Sequence, residues 1–148
     1  ETAAGAASPN GASPTPPPAA PAATLPADDR RRLDQARELM AAARRAADLD
    51  EPLTLARSVA DAHPRSAEAQ HLAAEIAYRA SRWPLAVAYF RRGGEPVESP
   101  ERMFYLAVAL WEAGDRGEAA RVLEATLPRL ARTPFVDRYV DTILGEER

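Results

Sequence analysis

From Ala27 to the end of the chain, apolar side chains recur every three or four positions, and no stretch alternates apolar with polar residues as a strand would. The pattern predicts an all-helical domain. Prolines, glycines and small polar caps divide it into seven helices. The first is expected from Ala27 to Ala47, with Asp28 and Asp29 in its first turn. The second runs from Glu51 to His63, capped by Asp50, with Pro52 in the first turn and Pro64 beyond the end. In HPRSAEAQHLAAEIAYRASRWPLAVAYF, residues 63–90, a third helix follows Ser66 to Ala80, and a fourth starts near Pro84 and stops at Gly93 and Gly94. Ser99 and Pro100 open a fifth that ends near Gly114. Asp115 and Glu118 form a capping-box-like pair for a sixth that reaches Ala131. Thr133 and Pro134 open the last, which carries Phe135, Tyr139, Val140, Ile143 and Leu144 on one face and stops at Gly145.

Helices this short, joined by a few residues, pack antiparallel, so the chain reads as three helix-turn-helix pairs and a single closing helix. A shift of 33 residues lays Ala74 on Ala107, Ala77 on Leu110, Ala86 on Ala119 and Phe90 on Leu123. Such a period in helical hairpins signals a repeat array. In the best copy, Pro100 to Thr133, the residues Met103, Leu106, Ala107, Leu110, Gly114, Ala119 and Leu123 give the order large, large, small, large, glycine, small, large. At these positions the chain resembles the tetratricopeptide repeat family. The middle copy keeps Ala74, Ala86 and Phe90 but has Ser81 for the turn glycine. The first keeps Leu39 and Pro64 but has Met40 at a small-residue site and Pro52 at a packing alanine. The resemblance implies an array of about three such pairs over Leu33 to Thr133, ended by a capping helix.

Residues 1–26 differ in kind. They hold seven of the chain's 14 prolines, many alanines and almost no large apolar side chains. Such a stretch cannot bury enough surface to offset its ordering entropy, so it is expected to be a disordered linker with polyproline character ahead of a helical domain at 27–148. The chain begins with Glu1 and shows no basic-then-apolar leader, which points to a piece of a longer protein.

Composition narrows the function classes. Net charge is −3, and arginines are interleaved with carboxylates, as in DDRRRLDQARELMAAARRAADLD, so no basic face for nucleic acid is expected. All 19 basic residues are arginine, a bias ascribed to a GC-rich bacterial genome. With no cysteine, thiolate catalysis, disulfides and zinc–thiolate sites are excluded, and either cytoplasm or periplasm is compatible. No run of about 18 apolar residues is present, so direct membrane insertion is not expected.

No phosphate loop, nucleophile elbow or zincin motif is found, and no enzyme, cofactor or metal site is expected. His71 and Glu75 lie one turn apart, but two ligands without a third do not make a metal site. Binding is the expected function. The resemblance implies a concave wall made by the first helix of each pair. On it the partner-binding candidates are Arg37, Arg44 and Arg45 from the first helix, His71, Glu75, Tyr78 and Arg79 from the third, and Phe104, Val108 and Trp111 from the fifth. Aromatics and arginines are common interface anchors, so the chain is expected to be an adaptor for a protein or peptide partner. The alternatives are self-association into a homo-oligomer through Phe135, Tyr139 and Ile143, or service as the non-catalytic tail of a larger enzyme.

Overall fold

The structure, a computed structural model, describes residues 24–147. Among them seven α-helices succeed one another: α1 (Ala27–Ala42), α2 (Asp50–Ala62), α3 (Ala67–Arg79), α4 (Trp83–Gly93), α5 (Pro100–Glu112), α6 (Arg116–Thr126) and α7 (Pro134–Glu147). Among the described residues there is no strand. The closest packing is within the hairpins α1–α2, α3–α4 and α5–α6. Adjacent pairs meet through α2 on α3 and α4 on α5, and α7 covers α6. The first helices also touch each other, α1 with α3 and α3 with α5. The protein is therefore an all-α helix-turn-helix repeat array in which α1, α3, α5 and α7 form one wall.

The backbone repeats more strictly than the side chains. α3 and α5 start at Ala67 and Pro100, and α4 and α6 at Trp83 and Arg116, in each case 33 residues apart. Ser66 and Ser99 both cap their helices, accepting from the N–H of Ala69 and Arg102 at 3.2 Å. The turns after α3 and α5 match as well: the Arg82 N–H reaches the Ala77 carbonyl at 2.8 Å, and the Asp115 N–H reaches that of Leu110 at 2.9 Å. Each turn needs a residue with positive φ, supplied by Gly114 (99°) in one and by Ser81 (59°) in the other. Ser81 therefore carries the strain that a glycine would avoid.

Packing follows from residue size. Ala74, Ala86, Ala107 and Ala119 are fully buried and let the paired helices approach closely, while Phe90, Leu106, Leu110 and Leu123 fill the space around them. Each of these large side chains contributes on the order of 1.5–3 kcal/mol by its burial. On the second wall, Tyr89 ties α4 to α2: its hydroxyl donates to Asp61 at 2.7 Å and accepts from Arg57 at 3.2 Å. The Arg92 guanidinium lies over the same ring, 4.7 Å from its centre.

Several boundaries depart from expectation. α1 stops at Ala42 rather than Ala47, because the Asp48 carboxylate accepts from the backbone N–H groups of Arg44 (3.0 Å) and Arg45 (3.1 Å). This local bond holds Arg45 extended, and a 3₁₀ turn, Ala46–Leu49, then runs directly into α2. α6 ends at Thr126, short of Ala131, since Pro128 can neither donate nor fit within a continuing helix, and Leu127–Arg129 tighten into a 3₁₀ turn. α7 passes through Gly145 to Glu147. Asp115 makes no side-chain cap; it pairs with Arg91 at 3.3 Å, and Glu118 pairs with Arg121. α4 starts at Trp83, one residue ahead of the expected Pro84. Residues 1–23 of the expected linker lie outside the described residues, and within 24–26 Leu25 already belongs to the core at 7% exposed.

Candidate functional site

The wall of first helices carries a run of aromatic rings. Tyr78, at the end of α3, stacks on Tyr105 of α5 with centroids 4.4 Å apart and planes 20° from parallel. Trp83 meets the other side of Tyr78 edge-on at 5.9 Å. Tyr105 leads to Phe104 at 6.4 Å, and Phe104 is met edge-on by Phe135 (6.0 Å) and Tyr139 (6.1 Å) of α7. Offset and edge-on contacts of this kind each add about 0.5–1.5 kcal/mol beyond the area they bury.

Four of these rings, Tyr78, Phe104, Tyr105 and Phe135, border a hollow of about 310 Å³ that also takes in Arg79, Glu101 and Val136. Phe104 is its buried floor, 2% exposed, whereas Phe135 is 46% exposed at its rim. The Tyr78 phenol is pushed well above its ordinary range, first by burial and then by the neighbouring Tyr105. Burial also raises Tyr105, helped by the nearby Glu75 carboxylate. Both hydroxyls therefore stay neutral across the physiological range.

Beside the rings lies a bridge of three charges. Glu75, 9% exposed, accepts from Arg79 at 2.9 Å and from Arg102 Nε at 3.1 Å. One carboxylate thus joins α3 to α5 and holds two guanidiniums, leaving the cluster with a net positive charge. A second hollow, about 250 Å³, opens where Arg44, Arg45 and Arg79 surround Met40, Ala43 and Leu49. Arg79 lines both hollows.

Of the ten candidates, the structure brings Tyr78, Arg79 and Phe104 to the aromatic hollow and Arg44, Arg45 and Arg79 to the second. Arg44 and Arg45 reach it from the loop after α1, not from the helix on which they were placed. Arg37 is engaged elsewhere, bridging Asp34 at 3.0 Å and Glu68 at 2.6 Å. His71 is not a groove residue: it is 6% exposed, packs on Phe90 at 6.2 Å, and shares a hydrogen bond with the Gly94 carbonyl at 2.7 Å. Its ring faces the α4–α5 turn, so it does not pair with Glu75. Val108 is core at 1% exposed. Trp111 is 8% exposed, lies under the Arg116 guanidinium at 4.4 Å, and borders a further hollow with Phe135, Arg138, Tyr139 and Thr142 of α7.

Tyr105 and Phe135 also line the groove, and Arg102 adjoins it through Glu75; none of the three was among the partner-binding candidates. Ile143, assigned to a self-association face, is fully buried, and Tyr139 is half-buried, its hydroxyl donating to Glu112 at 2.9 Å. Among the described residues no three His, Asp or Glu side chains converge on a point where a metal could sit. No described helix is long and apolar enough to cross a membrane. No family model matches the chain, and neither a curated protein nor a solved structure matches it.

Proposed function

We propose that the protein is a tetratricopeptide-like interaction module that acts as an adaptor, taking a peptide segment of a partner protein into the groove on its first-helix wall. The observation that carries this reading is the aromatic hollow of about 310 Å³ formed by Tyr78, Phe104, Tyr105 and Phe135. Aromatic rings offer large contact area with little conformational entropy to lose, and their clustering beside arginines is typical of interface centres. On this reading the chain recruits rather than catalyses. Its Pro/Ala-rich residues 1–23 act as a tether, making a second contact within the same assembly effectively intramolecular.

A photo-crosslinking amino acid at Glu101, exposed beside the hollow, tests the assignment against the same group at Glu124, exposed on α6. In extract of the source cells, discrete adducts from the Glu101 position alone support the groove. Equal labelling from both positions, or labelling only from Glu124, sinks it.

A further inference from the structure

We infer that the segment this groove accepts carries a carboxylate close to an apolar or aromatic side chain, the apolar group among Phe104, Tyr105 and Phe135 and the carboxylate on Arg44 and Arg79. This rests on the groove reading above and adds the chemistry of the occupant. The two adjoining hollows differ in charge. The charged side chains lining the aromatic hollow are one arginine, Arg79, and one carboxylate, Glu101. Those lining the second hollow are Arg44, Arg45 and Arg79, all cationic.

The positive charge there is not cancelled from within the protein. Arg45 is held by Asp48 at 3.4 Å, and Arg79 shares Glu75 with Arg102, so that one carboxylate faces two guanidiniums. The Arg44 guanidinium has no ion-pair partner among the described residues. An arginine fork presents several donors to a carboxylate, and Met40, Ala43 and Leu49 give the same hollow an apolar patch beside it. An incoming carboxylate therefore finds arginine donors that no internal carboxylate holds, and the neighbouring Glu101 turns it away from the aromatic hollow.

Because Arg79 is the wall between the hollows, one short segment fills both. Side chains on one face of an extended peptide recur about every 7 Å. The acidic residue accordingly stands two or four positions from the apolar anchor.

Selection from a phage-displayed library of random dodecapeptides tests this without presuming a partner. The expected result is enrichment of sequences with Asp or Glu two or four positions from Phe, Tyr, Trp or Leu. A synthetic peptide of that kind should bind about fivefold more weakly to the Arg44→Ala protein, about tenfold more weakly to Arg44→Glu, and less well as salt rises. Arg44 is exposed and unpaired, so neither substitution threatens the fold. Selected peptides that lack an acidic position, or ignore Arg44→Glu while losing affinity to Phe135→Ser, overturn the carboxylate assignment and leave the groove standing. Peptides indifferent to both variants, or no enrichment at all, overturn both.

Discussion

Tyr78 and Tyr105 stack across the seam between the second and third helical pairs, 4.4 Å apart, although they stand at non-equivalent places in a chain whose helices repeat every 33 residues. The stack holds α3 to α5 and forms one side of the aromatic hollow. Tyr105→Ala should therefore lower unfolding free energy by about 1–2 kcal/mol, from the lost ring contact and half-buried area. Tyr105→Phe, which keeps the ring, should stay within about 0.5 kcal/mol of the parent. Urea denaturation of the three proteins decides it, and an equal loss for Phe and Ala would remove stacking as the cause.

Alkaline pH should weaken the fold through the same tyrosines. Burial raises the phenols of Tyr78, Tyr105 and Tyr139 above the value of about 10 that they have in the unfolded chain. The unfolded state thus releases protons first, and stability is full below about pH 10 and falls as pH rises beyond it. Denaturation midpoints between about pH 8 and 11 should show the decline, and the Tyr78→Phe protein should show a shallower one.

Gly93 is constrained by a side chain. A Cβ there would lie 2.7 Å from His71 Cδ2, 2.8 Å from its Nε2 and 2.9 Å from the Gln70 Cβ, and the imidazole is buried and anchored to Gly94. Gly93→Ala should cost about 1–3 kcal/mol as an overpacking change. Combining it with His71→Ala should cost less than the sum of the two single losses, measured as a double-mutant cycle. Strict additivity would show that the ring is not the obstacle.

Acid should loosen the hold on α1. Glu68 is drawn below its ordinary range chiefly by hydrogen bonds from Arg30, with Arg37 adding to it, and Asp29 chiefly by its hydrogen bond with His63, 2.6 Å away. Folded carboxylates then resist protonation more than unfolded ones. Their contribution is complete above about pH 5 and disappears as pH falls through the folded values. Thermal midpoints should drop below about pH 4.5, and Glu68→Gln should flatten that acid limb while lowering the neutral plateau. A Glu68→Gln profile that parallels the parent would assign the acid sensitivity elsewhere.

Helix number, pairing and most starts are legible in the sequence, because they depend on local rules: a serine before an apolar run, a proline at a first turn, glycine where φ turns positive. Arg44 and Arg45 were misplaced because helix propensity runs unbroken through AAARRAADLD, while the helix is ended by a side-chain bond from Asp48 that propensity does not register. The groove was harder to read for a geometric reason. Residues 33 apart occupy equivalent places, whereas those that meet across the inner seams are 27 apart, as in Glu75 with Arg102 and Glu112 with Tyr139. Repeat arithmetic aligned Tyr78 with Trp111, yet its contact is Tyr105, also 27 residues on. Counting by 27 from Glu75 and Tyr78 would have found both Arg102 and Tyr105. His71 could not be resolved from sequence, since facing the α4–α5 turn and facing the groove differ only by which side of α3 the ring takes.

Trp83 sits against Tyr78 at one end of the aromatic run, and Trp111 lies apart beneath Arg116. The two indoles are the chain's full complement of tryptophan, and they occupy unlike surroundings. Their intrinsic fluorescence therefore divides into one emitter packed on Tyr78 and one beside Phe135, on the α7 side of the groove. A native signal is already wired to each side of the site, so occupancy of the hollow can be followed in unlabelled protein, with Trp83→Phe and Trp111→Phe telling the two sides apart.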